Sequence, residues 1–199
     1  MESKTHVACA NAVALAIMQP HDIKSLSVCV SAATIGSLIC DLDTSTKNDH
    51  KYVDFFSLFI IVGLLLLCLL DNILNIGLNN WIVHNSSYFR IISCLIVAIG
   101  ISNYGYRQPH RSFLHSFLAI FILSLLCYIA FGNIVIPFSI GLITHIILDL
   151  FNIKGLRLFY PLKNKYSLKL CVYNGKVNNT LFVIFCIIIL IELHIYGII

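Results

Sequence analysis

The residues of this chain best suited to chemistry are a few histidines and aspartates placed at the edges of apolar runs. His145 and Asp149 stand four positions apart, which on a helix puts imidazole and carboxylate on one face, within reach of a common ion. The same spacing also fits an ordinary hydrogen-bonded pair inside a bundle. Asp41-Leu42-Asp43 follows Gly36 at the end of another apolar run, where two such close carboxylates repel unless a cation or proton intervenes. A solvated turn is the plain alternative for that pattern, and Asp49 and Asp54 fit it better. His6 opens the first apolar run. The most specific local pattern is His110-Arg111-Ser112-Phe113-Leu114-His115-Ser116. Ser112 can cap a following helix whose first free amides favour an anion, and Arg111 supplies a forked, permanently charged donor suited to phosphate. His115, one turn in, can ligate a metal, while His110 on the loop can ligate, shuttle a proton or hold substrate. His21, His50, His84 and His194 read as background, and Glu192, deep in the last run, has no evident partner beyond Lys24 or His194.

The elements that must position these groups follow from composition. Hydrophobic residues make up 59% of the 199 residues and charged ones 11%, about half the charge content of a soluble domain. Val53–Leu70, Ser112–Phe131, Ile134–Leu150 and Thr180–Tyr196 approach the roughly 20 apolar residues a helical crossing needs. Val7–Met18, Ser25–Cys40 and Tyr88–Ile101 are shorter and marginal as full crossings, able to tilt, re-enter or pack inside a bundle. The predicted fold is an all-α polytopic membrane protein, a bundle of about five to seven transmembrane or re-entrant helices. It reads as one integral membrane domain over residues 1–199, with a basic loop at 151–179 able to hold short strands or an interfacial helix. The eight cysteines are scattered without a C-x-x-C pair and read as small core residues.

If the seven runs alternate across the bilayer, the loops carrying all but Lys24 and Arg90 of the 13 lysines and arginines lie on one face. Positive loops stay in the cytoplasm, so this face and the N-terminus are expected there. The same face gathers His6, Asp41, Asp43, His110, His115, His145 and Asp149. Ionisable groups at membrane depth are costly unless paired, hydrated or metal-bound, so their collection at one level is more informative than any single one. The net charge of +4 reflects topology and not a nucleic-acid partner, since no basic stripe interleaved with aromatics occurs. G-x-S-x-G, P-loop and G-x-G-x-x-G patterns are absent from the sequence, so serine-hydrolase, nucleotide-triphosphatase and dinucleotide readings lack support.

Four motifs resemble, in order, those of the YdjM-like, LexA-regulated family of bacterial inner-membrane metal-dependent hydrolases. Thr5-His6 resembles its N-terminal Thr-His, and Gly36-Ser-Leu-Ile-Cys-Asp41-Leu-Asp43 its Gly-x-Leu-x-Pro-Asp-x-Asp. His110-Arg-Ser-Phe-Leu-His115-Ser116 is similar to His-Arg-Gly-x-Thr-His-Ser. Gly141-Leu-Ile-Thr-His145-Ile-Ile-Leu-Asp149, continuing into Gly155 and Pro161, is similar to its Gly-x-x-x-His-x-x-x-Asp run. Cys40, Ser112 and Leu114 depart from the family's proline, glycine and threonine, and Asn178 and Asn179 occupy the neighbourhood of an expected glutamate. No proposed ligand is lost by these departures.

The resemblance implies a membrane-bound metal-dependent hydrolase at the bacterial inner membrane, working among membrane lipids. His6, Asp41, Asp43, His115, His145 and Asp149 would hold one or two divalent ions, with zinc or manganese suiting the mixed nitrogen and oxygen donors. His110 and Arg111 would be catalytic, acting on a phosphoester or lipid-linked substrate at the cytoplasmic face. Two other roles use the same cluster. A metal transporter predicts further polar residues leading to the opposite face, and a structural or stress-response protein predicts that alanine substitutions lower stability alone.

Overall fold

The computed structural model describes residues 2–44, 86–170 and 175–197. The expected crossing Val53–Leu70, with Asp49, Asp54, His50 and His84, lies outside the described residues. Six helices are seen: α1 (Ser3–Met18), α2 (Ile23–Cys40), α3 (Ser86–Tyr106), α4 (Phe117–Phe131), α5 (Val135–Leu150) and α6 (Gly175–Ile195), with 3-10 turns at Asp41–Thr44 and Gly132–Ile134. The protein is an all-α, multi-pass membrane protein. Segments 23–43, 87–106, 117–150 and 175–195 are long and apolar enough to cross a bilayer. Their outward faces carry bare side chains such as Phe121 (66% exposed) and Leu190 (60%); such a surface suits hydrocarbon and would be an association hazard in water.

The stretch 117–150 is a hairpin of two helices. Ser139 donates a 2.8 Å hydrogen bond to Ser124, whereas in one straight helix these residues would be about 22 Å apart at 1.5 Å per residue. The chain reverses at Gly132, whose φ of +63° is open to glycine and strained for other residues. At the opposite level, α1 begins beside the start of α6 and ends beside its end, where Tyr196 donates its hydroxyl to the Leu15 carbonyl at 3.1 Å. The two helices are therefore parallel.

Helix α1 has 16 residues, about 24 Å at 1.5 Å per residue. That is short of a hydrocarbon core of ~30 Å. It is accommodated by packing inside the bundle, against α2, α5 and α6, through small residues that include Ala8, Ala10, Ala12 and Ala14. The tightest seam joins α2 to α5. A Cβ on Gly36 would overlap the Phe138 carbonyl, and one on Gly141 would overlap the Ala33 carbonyl. Lipid tails solvate apolar side chains as well as a partner helix does, so close backbone approach through small residues is what holds such helices together.

Two local expectations are corrected. The helix expected from Ser112 starts at Phe117, capped by Ser116, whose Oγ accepts the Ala119 amide at 3.2 Å. The Ser112 hydroxyl instead donates to the Pro109 carbonyl, within the turn formed by residues 107–116. Between 151 and 170 the basic stretch holds neither helix nor strand ladder, with an antiparallel bridge between Leu156 and Tyr166, and its last residues, 175–179, already belong to α6. It folds back over the end of α5, with Leu156 and Leu158 buried against Ile146. Its backbone also fastens the 107–116 turn, through Arg157 N to Arg111 O at 3.1 Å and Phe117 N to Leu158 O at 3.0 Å. The Phe117 amide is thereby engaged by the protein's own carbonyl, and the Ala119 amide by the Ser116 cap.

Candidate metal centre

Five elements reach one level of the bundle. The last turn of α5 presents His145 and Asp149, α1 presents His6 from its first turns, and the 3-10 turn ending α2 presents Asp41 and Asp43. The 107–116 turn brings His110, Arg111 and His115, and the start of α6 closes the side. Every residue singled out from the sequence as a ligand or catalytic group is in this cluster.

Its wiring centres on the aspartates. Asp43 takes His110 Nδ1 at 2.6 Å and the Arg111 amide at 3.0 Å, with His115 Nδ1 at 3.3 Å. Asp149 faces His6 Nε2 at 3.4 Å, an Arg111 guanidinium nitrogen at 3.3 Å and His115 Nε2 at 3.7 Å. Asp41 accepts the Ser3 hydroxyl at 2.6 Å and faces His145 Nε2 at 3.6 Å. Arg111 adopts a left-handed backbone, φ +65°, a conformation that costs a non-glycine residue about 1–3 kcal/mol and survives where its surroundings over-determine it. Here its amide holds Asp43, its carbonyl accepts Arg157, and its guanidinium donates to the Lys154 carbonyl at 2.8 Å.

Three of the imidazoles, those of His6, His115 and His145, are packed without hydrogen bonds. His6 and His145 stack with ring centroids 3.9 Å apart and planes 16° off parallel, and His115 meets His145 at 5.2 Å. All three are buried to within 1%, and none of their six ring nitrogens has a hydrogen-bond partner. Each such buried polar group costs about 1–3 kcal/mol when left unmet. A divalent cation resolves this, since neutral imidazole nitrogens and carboxylate oxygens are its natural donors. Three overlapping triads have ligand atoms within 4.8 Å of one another: His6 with His145 and Asp149, Asp41 with His115 and His145, and Asp43 with His110 and His115. Donors bound tetrahedrally at about 2.0 Å lie about 3.3 Å apart, close to the observed separations between rings and carboxylates. The residues present therefore fit a divalent metal.

Two contributors were not assigned from the sequence. Ser3 buttresses Asp41, and the buried Asn178 fixes the first turn of α1 by accepting the Glu2 amide at 3.0 Å and the Thr5 hydroxyl at 2.9 Å. A buried amide inside an apolar helix is itself a sign of such a task. Asn178→Ala should weaken metal binding by roughly tenfold, the scale of losing a residue that orients a ligand, because His6 is one helical turn from the freed segment. Metal titration of the purified variant checks this; unchanged affinity would mean that α1 needs no anchor. His21 and His194 lie at the other end of the bundle and are exposed. Glu192 also lies there, and among the described residues it makes no ion pair with Lys24 or His194.

A family model described as YdjM inner membrane protein matches residues 1–198. The chain belongs to the YdjM inner membrane protein family. No curated protein and no solved structure matches it. The four motifs that resemble this family are the ones that the fold of this YdjM-family chain brings to a single buried cluster.

Proposed function

We propose that this YdjM-family protein is a membrane-bound hydrolase that uses divalent metal, zinc or manganese, to cleave a phosphoester at the cytoplasmic face. The reading rests on the six buried, unpartnered imidazole nitrogens set among three carboxylates. The triads share His115 and His145, so they make one continuous donor set, with room for one ion on the His6–Asp149 side and another on the Asp43 side. When bound, such ions lower the pKa of water and polarise a phosphoryl oxygen.

The remaining residues divide the other tasks. Arg111 is held by Asp149 and the Lys154 carbonyl, while its Nε is buried without a hydrogen-bond partner, a donor suited to a phosphate oxygen. His110 differs from the other three histidines: its side chain is 43% exposed, and Asp43 holds its Nδ1. That placement suits a proton carrier at the rim, oriented by the carboxylate behind it. The basic surface of this face supports a cytoplasmic orientation. Transport is less well supported, because beneath the Asn11–Thr34 hydrogen bond the described core is apolar, formed by Ala10, Ala14, Leu15, Cys29 and Ala33.

The test is metal content per chain of purified protein, measured beside turnover of aryl phosphate esters with zinc or manganese supplied. Arg111→Ala should keep most of the metal and lose turnover, by roughly 100-fold or more, and His110→Ala should lose turnover as far while keeping the ion on the His6–Asp149 side. Metal-free protein whose stability ignores chelators, or turnover that survives chelation, would remove the reading.

A further inference from the structure

Beneath the polar cluster, at the depth of the bilayer, α2, α3, α4 and α5 leave an apolar cavity of about 260 Å³ between them. Ala32, Ile39, Ala98, Leu123, Ala130 and Phe138 are among its walls, and every residue lining it is apolar. Its wall on α2 runs up to Ile39, within one turn of the 3-10 turn that carries Asp41. Its sides include half-exposed residues, Ile35, Leu95 and Phe131, on helices whose outer surfaces face hydrocarbon. Three alanines keep it wide where larger side chains would close the seam, at Ala32 on α2, Ala98 on α3 and Ala130 on α4.

We infer that this cavity is the binding site for the hydrocarbon chain of a phosphate-bearing lipid whose head group lies at the metal centre. The inference rests on the hydrolase reading for the head group and narrows its substrate class to long-chain phosphate amphiphiles. Two observations choose this occupant. The cavity is apolar throughout and lies within membrane-spanning segments, so a hydrocarbon chain enters it from the surrounding bilayer without crossing water. The face above it is basic: Arg107, Arg111, Lys154, Arg157, Lys163, Lys165 and Lys169 lie on the turn and loop around the centre, and Arg111 Nε is a buried donor without a partner. An anionic head over an apolar tail matches that order of charge and depth. A neutral lipid leaves the Arg111 donor unmet, and a soluble phosphoester leaves the cavity unused.

The experiment uses the full chain in phosphatidylcholine nanodiscs doped with phosphatidic acid bearing a photoreactive diazirine in its acyl chain, followed by peptide mapping. Labelling should concentrate on 94–98 and 123–130, fall when unlabelled phosphatidic acid is added in excess, and stay constant with inorganic phosphate. Ala98→Phe and Ala130→Phe should each cut that labelling roughly tenfold while metal content is retained, which also shows that the variants fold. Equal labelling of the lipid-facing side of α6 at Val183, Ile184 and Ile187, or labelling unchanged in both variants, would overturn the inference. So would exclusion of the probe from 94–98 and 123–130, the result expected if residues 45–85 or a second copy fill the cavity. Repeating the labelling after chelation separates the two readings. Specific cavity labelling in a chain that never binds metal would remove the hydrolase and keep the lipid site. Normal metal content with unspecific labelling would do the reverse.

Discussion

Metal bound to the purified protein should fall sharply in His145→Ala, leaving at most the ion on the Asp43 side. His145 belongs to two of the three triads, stacks on His6 and stands 3.6 Å from Asp41, so its loss breaks the His6–Asp149 and Asp41 groups together and leaves only the triad of Asp43, His110 and His115. Altering a residue that only orients a ligand costs about 10–100-fold in affinity, and removing a shared ligand should cost at least the upper end of that range. The stability effect depends on conditions. A ligand present at 100 times its dissociation constant stabilises the folded state by about 2.7 kcal/mol, so in saturating metal the wild type should melt well above His145→Ala. In chelator the gap should close, because the variant no longer carries two buried ring nitrogens without partners. His21→Ala, at the far end of the bundle, should match wild type in both conditions. A gap of equal size with and without chelator would mean that the cluster is structural, and would favour the role in which these residues only hold helices together.

The second large effect is expected at the helix seam. Gly141→Leu places a side chain where a Cβ alone would overlap the Ala33 carbonyl and crowd the Ser37 amide. Both neighbours are backbone, so they cannot swing aside and the helices must separate. Overpacking a close contact costs about 1–3 kcal/mol and occasionally more, and a rigid backbone contact belongs at the upper end. The geometry of the centre should fail with it, since His145 and Asp149 follow on the same helix by one and two turns while Asp41 ends the opposing one. Gly100→Ala in α3 is the control: nothing lies within 4 Å of its added Cβ, and replacing a helical glycine by alanine where it fits stabilises by about 0.4–1 kcal/mol. Resistance to detergent-induced unfolding, followed by helicity, should therefore fall sharply in the first variant and hold or rise in the second. Metal retention in Gly141→Leu equal to wild type would show that the seam does not position the ligands.

Much of the site was legible because membrane insertion restricts where polar groups can be. A histidine or aspartate in an apolar run is conspicuous, and loop parity then assigns it a face without any tertiary model. That reasoning brought His6, Asp41, Asp43, His110, His115, His145 and Asp149 to one end of the bundle, and the fold places all of them within one connected cluster. It erred at Ser112, because Ser112 and Ser116 are equally good caps by residue type. The choice between them was made by contacts with the distant basic loop, whose Leu158 carbonyl takes the Phe117 amide and whose Arg157 amide donates to the Arg111 carbonyl. The tasks of Ser3 and Asn178 were not legible because their partners lie 38 and 176 positions away in sequence.

By itself, then, the sequence determined the solvent of this protein, its helical class and the membrane face on which its ionisable residues collect, since hydropathy and charge act locally along the chain. Only the tertiary structure decided which imidazoles stack, which carboxylates face them, and that Gly36 and Gly141 bring α2 and α5 close enough for Asp41 to face His145. Those are contacts between distant segments, fixed by backbone approach and packing that no run of residues encodes alone.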